Sequence, residues 1–456
     1  MATKEQLRQL YGQLQEQNIK VYENERYVIG QNPAILDRKQ KKSPDNRIIT
    51  PLGKMATEQM SGYAGRAGDK VITYDLITTE TADDNDDPFI SYMLEMDKYN
   101  KQDIETSELY GEALGQGESY ELWWTSDKKL PGGLLTSEYK IVPNEEIIIQ
   151  YSADLKKEME SFVHYTQLEE DEIQATVYYP EYKEIWISKD GGEFSLIEDD
   201  VRYPFKTPPL IVYKGNRRSM PLFESEKGLI KTVDELVSKK QNEVDRFADA
   251  ILLISQAVDK IFKDKLVDSD ITVIDKIESM EGGIIPQYLE KNLTGTTEYI
   301  KTQLDFAIQQ YWKSVGVADM TAESFGGGDQ SGYAIMLKLL PMEHKASLID
   351  TYFNQGLQQR KQFYADVYNA STFRVDEDEY EMKIESNRNL PADLKLKAEI
   401  LQILLQSGLP MSKGLKIRSN PLIQDEKAAL EELKRLEEEA ETEPIDLMGD
   451  NPLEAS

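Results

Sequence analysis

From Leu222 to Ser255 the chain reads LFESEKGLIKTVDELVSKKQNEVDRFADAILLIS, and Leu222, Leu229, Ile230, Val233, Leu236, Val237, Val244, Phe247, Ile251 and Leu252 recur at helical spacing. This stripe constrains the fold more than any other feature. It makes a rod roughly 50 Å long at about 1.5 Å per residue. Two more helical stripes follow. TTEYIKTQLDFAIQQYWKSV keeps Ile300, Leu304, Ile308, Tyr311 and Val315 in register, and a helix from about Gly332 to Asn369 carries Met342, Ile349, Phe353, Leu357, Tyr364 and Tyr368. Between them runs a loop with Gly326, Gly327 and Gly328 in succession, residues free to take conformations closed to other side chains. The third stripe contains Pro341, which removes the backbone bond to the Leu337 carbonyl and clashes with that turn. Either one helix bends there or two helices meet there.

The first 215 residues have a different character. Residues 1–23 predict an amphipathic helix, with a short helix near Thr50–Tyr63 and a strand at Lys70–Leu76. A helix starts at Asp87–Pro88, another stops at Gly115 or Gly117, and a strand follows with Tyr120, Leu122 and Trp124 on one face. KIVPNEEIIIQYS, QATVYYP, KEIWISKDGGEFSLIE and PPLIVYKGN read as strands, with KDGGEF as a hairpin signal. Residues 257–293 are short and mixed. FRVDEDEYEMKIESN predicts a strand, and the end is helical, with Gly408 as a stop signal, a narrow seam at Leu430, Leu433 and Leu436, and a disordered tail. The fold class expected is α+β, with the long helices in the C-terminal half.

Charge and composition remove several classes of function. The formal net charge is −30, the wrong sign for a surface that grips phosphates throughout. The absence of cysteine excludes disulfides and thiolate metal sites, and His164 and His344 alone do not make a multi-histidine site. No cofactor is expected. No apolar h-region opens the sequence and no run approaches about 18 apolar residues, so neither a secretory signal nor a membrane span is expected.

The local motifs also fail on context. DDNDD has Pro88 and Leu94 where a calcium loop needs glycine and a carboxylate, so an acidic helix N-terminus is the better account. GQGESY lacks the third glycine of a dinucleotide fingerprint and precedes a strand. GGGDQSG lacks the Lys-Ser/Thr pair of a nucleotide P-loop, which argues against an enzyme acting on nucleotides through it. A histidine held by ordinary hydrogen bonds is favoured over a catalytic one at both His164 and His344.

The order of these elements resembles the portal proteins of tailed bacteriophages, of the type found in long-tailed phages of Gram-positive bacteria. The likeness runs from about Tyr22 to Glu439. It is carried by YVIGQNPAILDR with PDNRIITPLGKMATEQMSGYAG, by GESYELWW, and by the 222–255 stripe. It continues through SVGVADMTAESFGGGDQSGYAIMLKLLPMEHKA and LKLKAEILQILLQSGLPMSKGLKIRSNPLIQDEKAALEEL. No single motif is diagnostic; the co-linear series is what resembles the family.

The resemblance implies a ring of about twelve chains, with layers named wing, stem, clip and crown around a central channel. Carried onto this chain, residues 1–23 are an N-terminal arm, 24–220 the wing and 221–256 the wing-to-stem helix. Residues 257–293 are the clip, 294–315 the stem helix, 316–332 a tunnel loop, 333–369 a kinked wing helix, 370–440 the crown and 441–456 a flexible tail. The tunnel loop would present Thr321, Glu323, Ser324, Phe325, Gly326, Gly327, Gly328, Asp329 and Gln330 to double-stranded DNA. Clip residues Lys260, Lys263, Asp264, Lys265, Asp268 and Asp270 would dock the terminase large subunit, although solvated charge accounts equally well for each. Further partners implied are capsid and scaffolding proteins and a head-tail adaptor, at a capsid vertex assembled in the host cytoplasm. The protein would not be an enzyme. The runner-up is a ring-forming structural adaptor that does not conduct DNA.

Overall fold

The computed structural model describes residues 2–40, 44–77, 87–130, 133–169, 172–189, 191–250, 293–320, 332–371 and 374–388. In chain order, α1 (Lys4–Val28), α2 (Pro33–Leu36) and α3 (Leu52–Ala64) lead to β1 (Lys70–Leu76). Next come α4 (Pro88–Tyr99), α5 (Gln102–Gln116), β2 (Glu118–Lys129), β3 (Leu135–Val142), β4 (Ile147–Tyr151), β5 (Met159–Glu169), β6 (Glu172–Tyr179), β7 (Tyr182–Lys189), β8 (Phe194–Arg202) and β9 (Leu210–Lys214). Three long helices follow, α6 (Lys227–Ala250), α7 (Leu293–Val315) and α8 (Gly332–Ser371), and then β10 (Tyr380–Ser386). The chain is a mixed helix and sheet protein.

Local chemistry sets the element ends. Thr3 and Gln6 form a reciprocal capping box on α1. That helix runs past the expected end at residue 23 to Val28, because nothing breaks it before Gly30, which sits at φ +88°. Asp87 caps α4 by accepting from the backbone N–H groups of Phe89 and Ile90, and Pro88 takes the first helical position. Asp87 is the last residue of the DDNDD stretch; the four before it lie outside the described residues. Gly117, at φ +97°, ends α5.

The antiparallel five-stranded sheet has the order β4-β5-β6-β7-β8. One face receives Leu7, Leu10 and Leu14 of α1, which pack with Val163, Tyr165, Ala175, Val177, Trp186 and Phe194. The hairpin at KDGGEF forms as read, pairing Ser188 with Phe194. Gly191 in its turn sits at φ +68°, and a Cβ there would lie 2.3 Å from the Tyr11 ring, so both backbone and space require glycine. The opposite face, through Ile147 and Phe162, meets Tyr120, Leu122, Val142 and Leu210 of the three-stranded sheet β3-β2-β9. Each of these fully buried apolar side chains contributes about 1.5–3 kcal/mol.

Two features differ from the sequence reading. β5 was not expected, yet it pairs with both β4 and β6. β2 buries both faces rather than one: Tyr120 and Leu122 lie on one side, and Glu121 and Trp123 are 0% and 1% exposed on the other, whereas Trp124 is 39% exposed. The reason is a further layer, in which Trp123 stacks on Tyr139 and meets Phe363 and Tyr364 of α8. β10 pairs antiparallel with β1, from Lys70 opposite Ser386 to Leu76 opposite Tyr380.

By its contacts the chain divides into two units. The first comprises Met1–Phe325 with Lys338–Asn389, and the second Gly326–Leu337 with Leu390–Ser456. Within the second, only the first turns of α8, from Gly332 to Leu337, are described. The expected helix and seam around Gly408, Leu430, Leu433 and Leu436 lie outside the described residues, as does the 441–456 tail.

Candidate functional site

The two rods α6 and α7 pack against each other, and their root is built from polar groups. The end of α7 lies beside the start of α6, where Ser314 Oγ donates to Glu226 Oε1 at 2.6 Å. Ile230 and Val233 are buried near the start of α6, and Tyr311 and Val315 near the end of α7. Burial falls away from that joint, and Val244, Tyr299 and Phe306 are 54%, 65% and 58% exposed. Along the stripes, Leu236, Val237, Ile300, Leu304 and Ile308 are half-buried and Val244 is exposed, while Tyr299 and Phe306 stand off the α7 stripe. Tyr311 also donates to the Leu52 carbonyl at 2.7 Å.

A ladder of short side chains on α6 reads the extended segment 44–50. Asp234 accepts from the Thr50 N–H at 2.6 Å and from Asn32 Nδ2 at 2.7 Å. Ser238 accepts from the Ile48 N–H at 3.0 Å, and Asn242 accepts from the Asn46 N–H at 2.8 Å. Burial pushes the Asp234 carboxyl above its usual range, and the Asn32 and Thr50 bonds pull it back. These residues recur every fourth position on the polar side of the stripe, which is the signal that could have revealed them.

The second joint lies at Pro341. The helix α8 is continuous through it from Gly332 to Ser371, so the reading of two separate helices is not what forms. Exposure changes there. Met336, Leu337 and Leu340 are about half exposed, whereas Met342, Ala346, Ile349 and Phe353 are buried. Just beyond the proline, Glu343 accepts from Tyr63 Oη and from Arg388 Nε, each at 2.8 Å. Arg388 also pairs with Asp350 at 2.8 Å, and Asp350 pairs with Lys70 of β1, which donates in turn to Ser386 of β10. Burial lowers the Lys70 pKa, and Asp350 opposes that. Arg388 is held firmly charged, because Glu343 and Asp350 outweigh its desolvation. The helix is therefore clamped to the β1–β10 ribbon within three turns of the proline.

Further along, Arg360 is fully buried against β2. It bonds both carboxylate oxygens of Glu121, donates to Thr106 at 3.1 Å and to Tyr213 at 3.0 Å, and lies 4.6 Å from the Tyr139 ring centroid. Trp123 Nε1 donates to the same Glu121 at 2.7 Å. Sequence reasoning missed this pair.

The predicted loop residues Thr321, Glu323, Ser324, Phe325, Gly326, Gly327, Gly328, Asp329 and Gln330 lie outside the described residues, as do Lys260, Lys263, Asp264, Lys265, Asp268 and Asp270. What is described is the frame on either side of the loop. Gly316, at φ +73°, closes α7, and α8 opens at Gly332. His164 is held by Glu146 at 2.9 Å on the sheet, with the Thr166 hydroxyl 3.4 Å from the same ring nitrogen, and His344 is exposed. Among the described residues no group of histidines and carboxylates is placed to hold a metal, and no helix is long and apolar enough to cross a membrane.

Comparison with known proteins adds three findings. Residues 7–444 match the family model described as phage portal protein, SPP1 Gp6-like. A portal protein of Clostridium phage phiCD119 is 23% identical over 307 residues, which is 63% of this chain and 66% of that protein, just under two thirds of its length. A solved chain from the neck of an empty GTA particle, computed with C6 symmetry, shares 11% identity. It superposes at a TM-score of 0.36 over 80% of this chain and 88% of its own, and a likeness that loose transfers no arrangement.

Proposed function

We propose that this chain, which belongs to the SPP1 Gp6-like family of phage portal proteins, closes into a ring at one capsid vertex and conducts double-stranded DNA through the bore. Portal proteins are structural components of the virion and not enzymes, and this chain carries neither nucleotide-binding motif nor metal cluster among its described residues. The observation that carries the reading is the family match over nearly the whole chain, joined to a specific physical need. The rods α6 and α7 leave Val244, Tyr299 and Phe306 in water, and copies of the same rods set side by side would cover them. The terminase large subunit, capsid and scaffolding proteins and a head-tail adaptor are the partners of this reading.

In this reading residues 221–256 run from wing to stem, 294–315 are the stem helix, 257–293 the clip, 24–220 with the 333–369 helix the wing, and 370–440 the crown. The loop Thr321–Gln330 faces the bore. It has hydroxyl and amide groups but no cation, so it touches phosphates without gripping them, and such contacts carry no sequence information. About twelve copies at −30 each give a ring charge on the order of −360. An acidic tube does not trap a duplex whose persistence length is about 50 nm.

The test is direct. Purified protein should form rings of several hundred kilodaltons with a central hole by negative-stain microscopy. A monomer at every salt concentration, or a bore too narrow for duplex DNA, would refute the reading. Replacing Gly326, Gly327 and Gly328 by alanine should leave rings intact and impair packaging; unimpaired packaging would remove that role for the glycines.

A further inference from the structure

The five-stranded sheet ends in two edges, β4 and β8, and their surroundings are chemically opposite. β8 is exposed on both faces from Ser195 to Asp200. It offers Leu196 and Ile197, 43% and 57% exposed, followed directly by Glu198, Asp199 and Asp200. Asp200 is engaged by Arg202 at 2.7 Å, so the open acidic character rests on Glu198 and Asp199. An edge strand that is long, open on both faces and partly apolar is a template for another surface, and its charges select which one.

The other edge supplies the complement. The turn from β4 to β5 carries Lys156 and Lys157, and with Lys214 of β9 they line a groove of about 440 Å³ whose far wall is α8 at Tyr352, Gln355 and Gln359. Glu158 also lines it and lies 3.6 Å from Lys156, and Asp154 in the same turn accepts from the Lys157 N–H at 3.0 Å, which leaves three lysines against two carboxylates. A basic groove is a local reversal on a chain of net charge −30. Leu155 stands fully exposed in the same turn. Lys157 is held at φ 49°, the left-handed region that costs a side-chain-bearing residue energy.

We infer that the β8 edge of one copy seats against the β4–β5 turn and lysine groove of the next, with Glu198 and Asp199 facing Lys156, Lys157 and Lys214, and with Leu196 and Ile197 meeting Leu155. Because the two halves lie at opposite edges of one sheet, the contact is head-to-tail. Repeated, it closes into a ring or runs on as a filament, according to the rotation per copy. The inference rests on the ring reading for its partner, a second copy of this chain, and adds where in the wing segment neighbouring copies meet.

Charge reversal tests it. Glu198→Lys with Asp199→Lys, or Lys156→Glu with Lys157→Glu, should each raise the protein concentration needed for half assembly at least about fivefold, since like charges facing each other are costly. Both reversals together in one chain should restore assembly, while circular dichroism confirms that each variant is folded. The absence of cysteine allows a second arm. Asp199→Cys with Lys157→Cys should give an oxidised ladder of covalent multimers, and neither single substitution should. Rings that assemble normally with either reversal, or no ladder from the double cysteine variant, overturn the contact and leave the ring reading standing. A ladder from a protein that never closes into rings keeps the contact and defeats the ring.

Discussion

Replacing Arg360 by methionine isolates the interaction that fastens α8 to the sheet. Both Arg360 and Glu121 are fully buried. The substitution removes both Arg360 bonds to the carboxylate and leaves Glu121 with the Trp123 and Tyr213 donors alone, one oxygen having lost its partner. Breaking a buried pair on one side costs about 3–5 kcal/mol, because the charge left behind is uncompensated. Pairing Arg360→Met with Glu121→Gln removes that charge while keeping an acceptor for Trp123 and Tyr213. The double variant should recover about 1–2 kcal/mol of the loss, since a neutral buried polar group costs less to leave partly unsatisfied than a charge. The assay is chemical denaturation of the dissociated protein, read as a shift in midpoint with the slope unchanged. A single variant costing under about 1 kcal/mol, or a double variant no better than the single, would refute the claim that the charge pair holds this helix.

Two further perturbations probe the body and the rod root. Asp234→Ala strips acceptors from Asn32 and the Thr50 N–H, and should cost about 2–4 kcal/mol in denaturant melts while speeding proteolysis within 44–50. Glu112, half-buried and near Glu25 and Glu145, has its carboxyl pushed up to about 7 by burial first and those charges second. Its contribution to stability is complete below the ordinary value of 4.5 and is lost as pH rises through about 7, so Glu112→Gln should leave acid stability unchanged and gain about 1–3 kcal/mol above neutrality, measured as midpoints at pH 4 and pH 8.

The sequence was most legible where one helix carries its own pattern. Met342, Ile349, Phe353, Leu357, Tyr364 and Tyr368 are all buried, because a 3.6-residue period projects them onto one side of α8 whatever they pack against. Strand β1 was legible for the same reason at period two. β5 was not, because its alternation is diluted by Ser161, His164, Thr166 and Gln167, and its two neighbours supply the burial that its own pattern does not advertise. The Arg360–Glu121 pair was illegible in a stronger sense: its partners lie 239 positions apart, and each alone looks like an exposed charge. The ladder of Asp234, Ser238 and Asn242 was readable in principle from its spacing, but its targets are backbone N–H groups of a segment that carries only turn signals. For the stretch between α7 and α8, spacing and glycine content gave its place in the chain, and its residues from Thr321 to Ser331 lie outside the described residues.

The β1–β10 ribbon has a consequence for how the subunit is made. Lys70 Nζ reaches Ser386 across 316 positions, so a nascent chain displays β1 long before β10, its strand partner among the described residues, has been synthesised. So distant a pairing is slow to find and leaves a strand edge bare in the meantime. A chain halted ahead of Tyr380 should therefore show rapid amide exchange through Val71–Tyr74, where the finished subunit is protected; equal protection in both would mean that β1 is held without its mate. Translation itself would then act as a timer, withholding an assembly-ready subunit until β10 has been made.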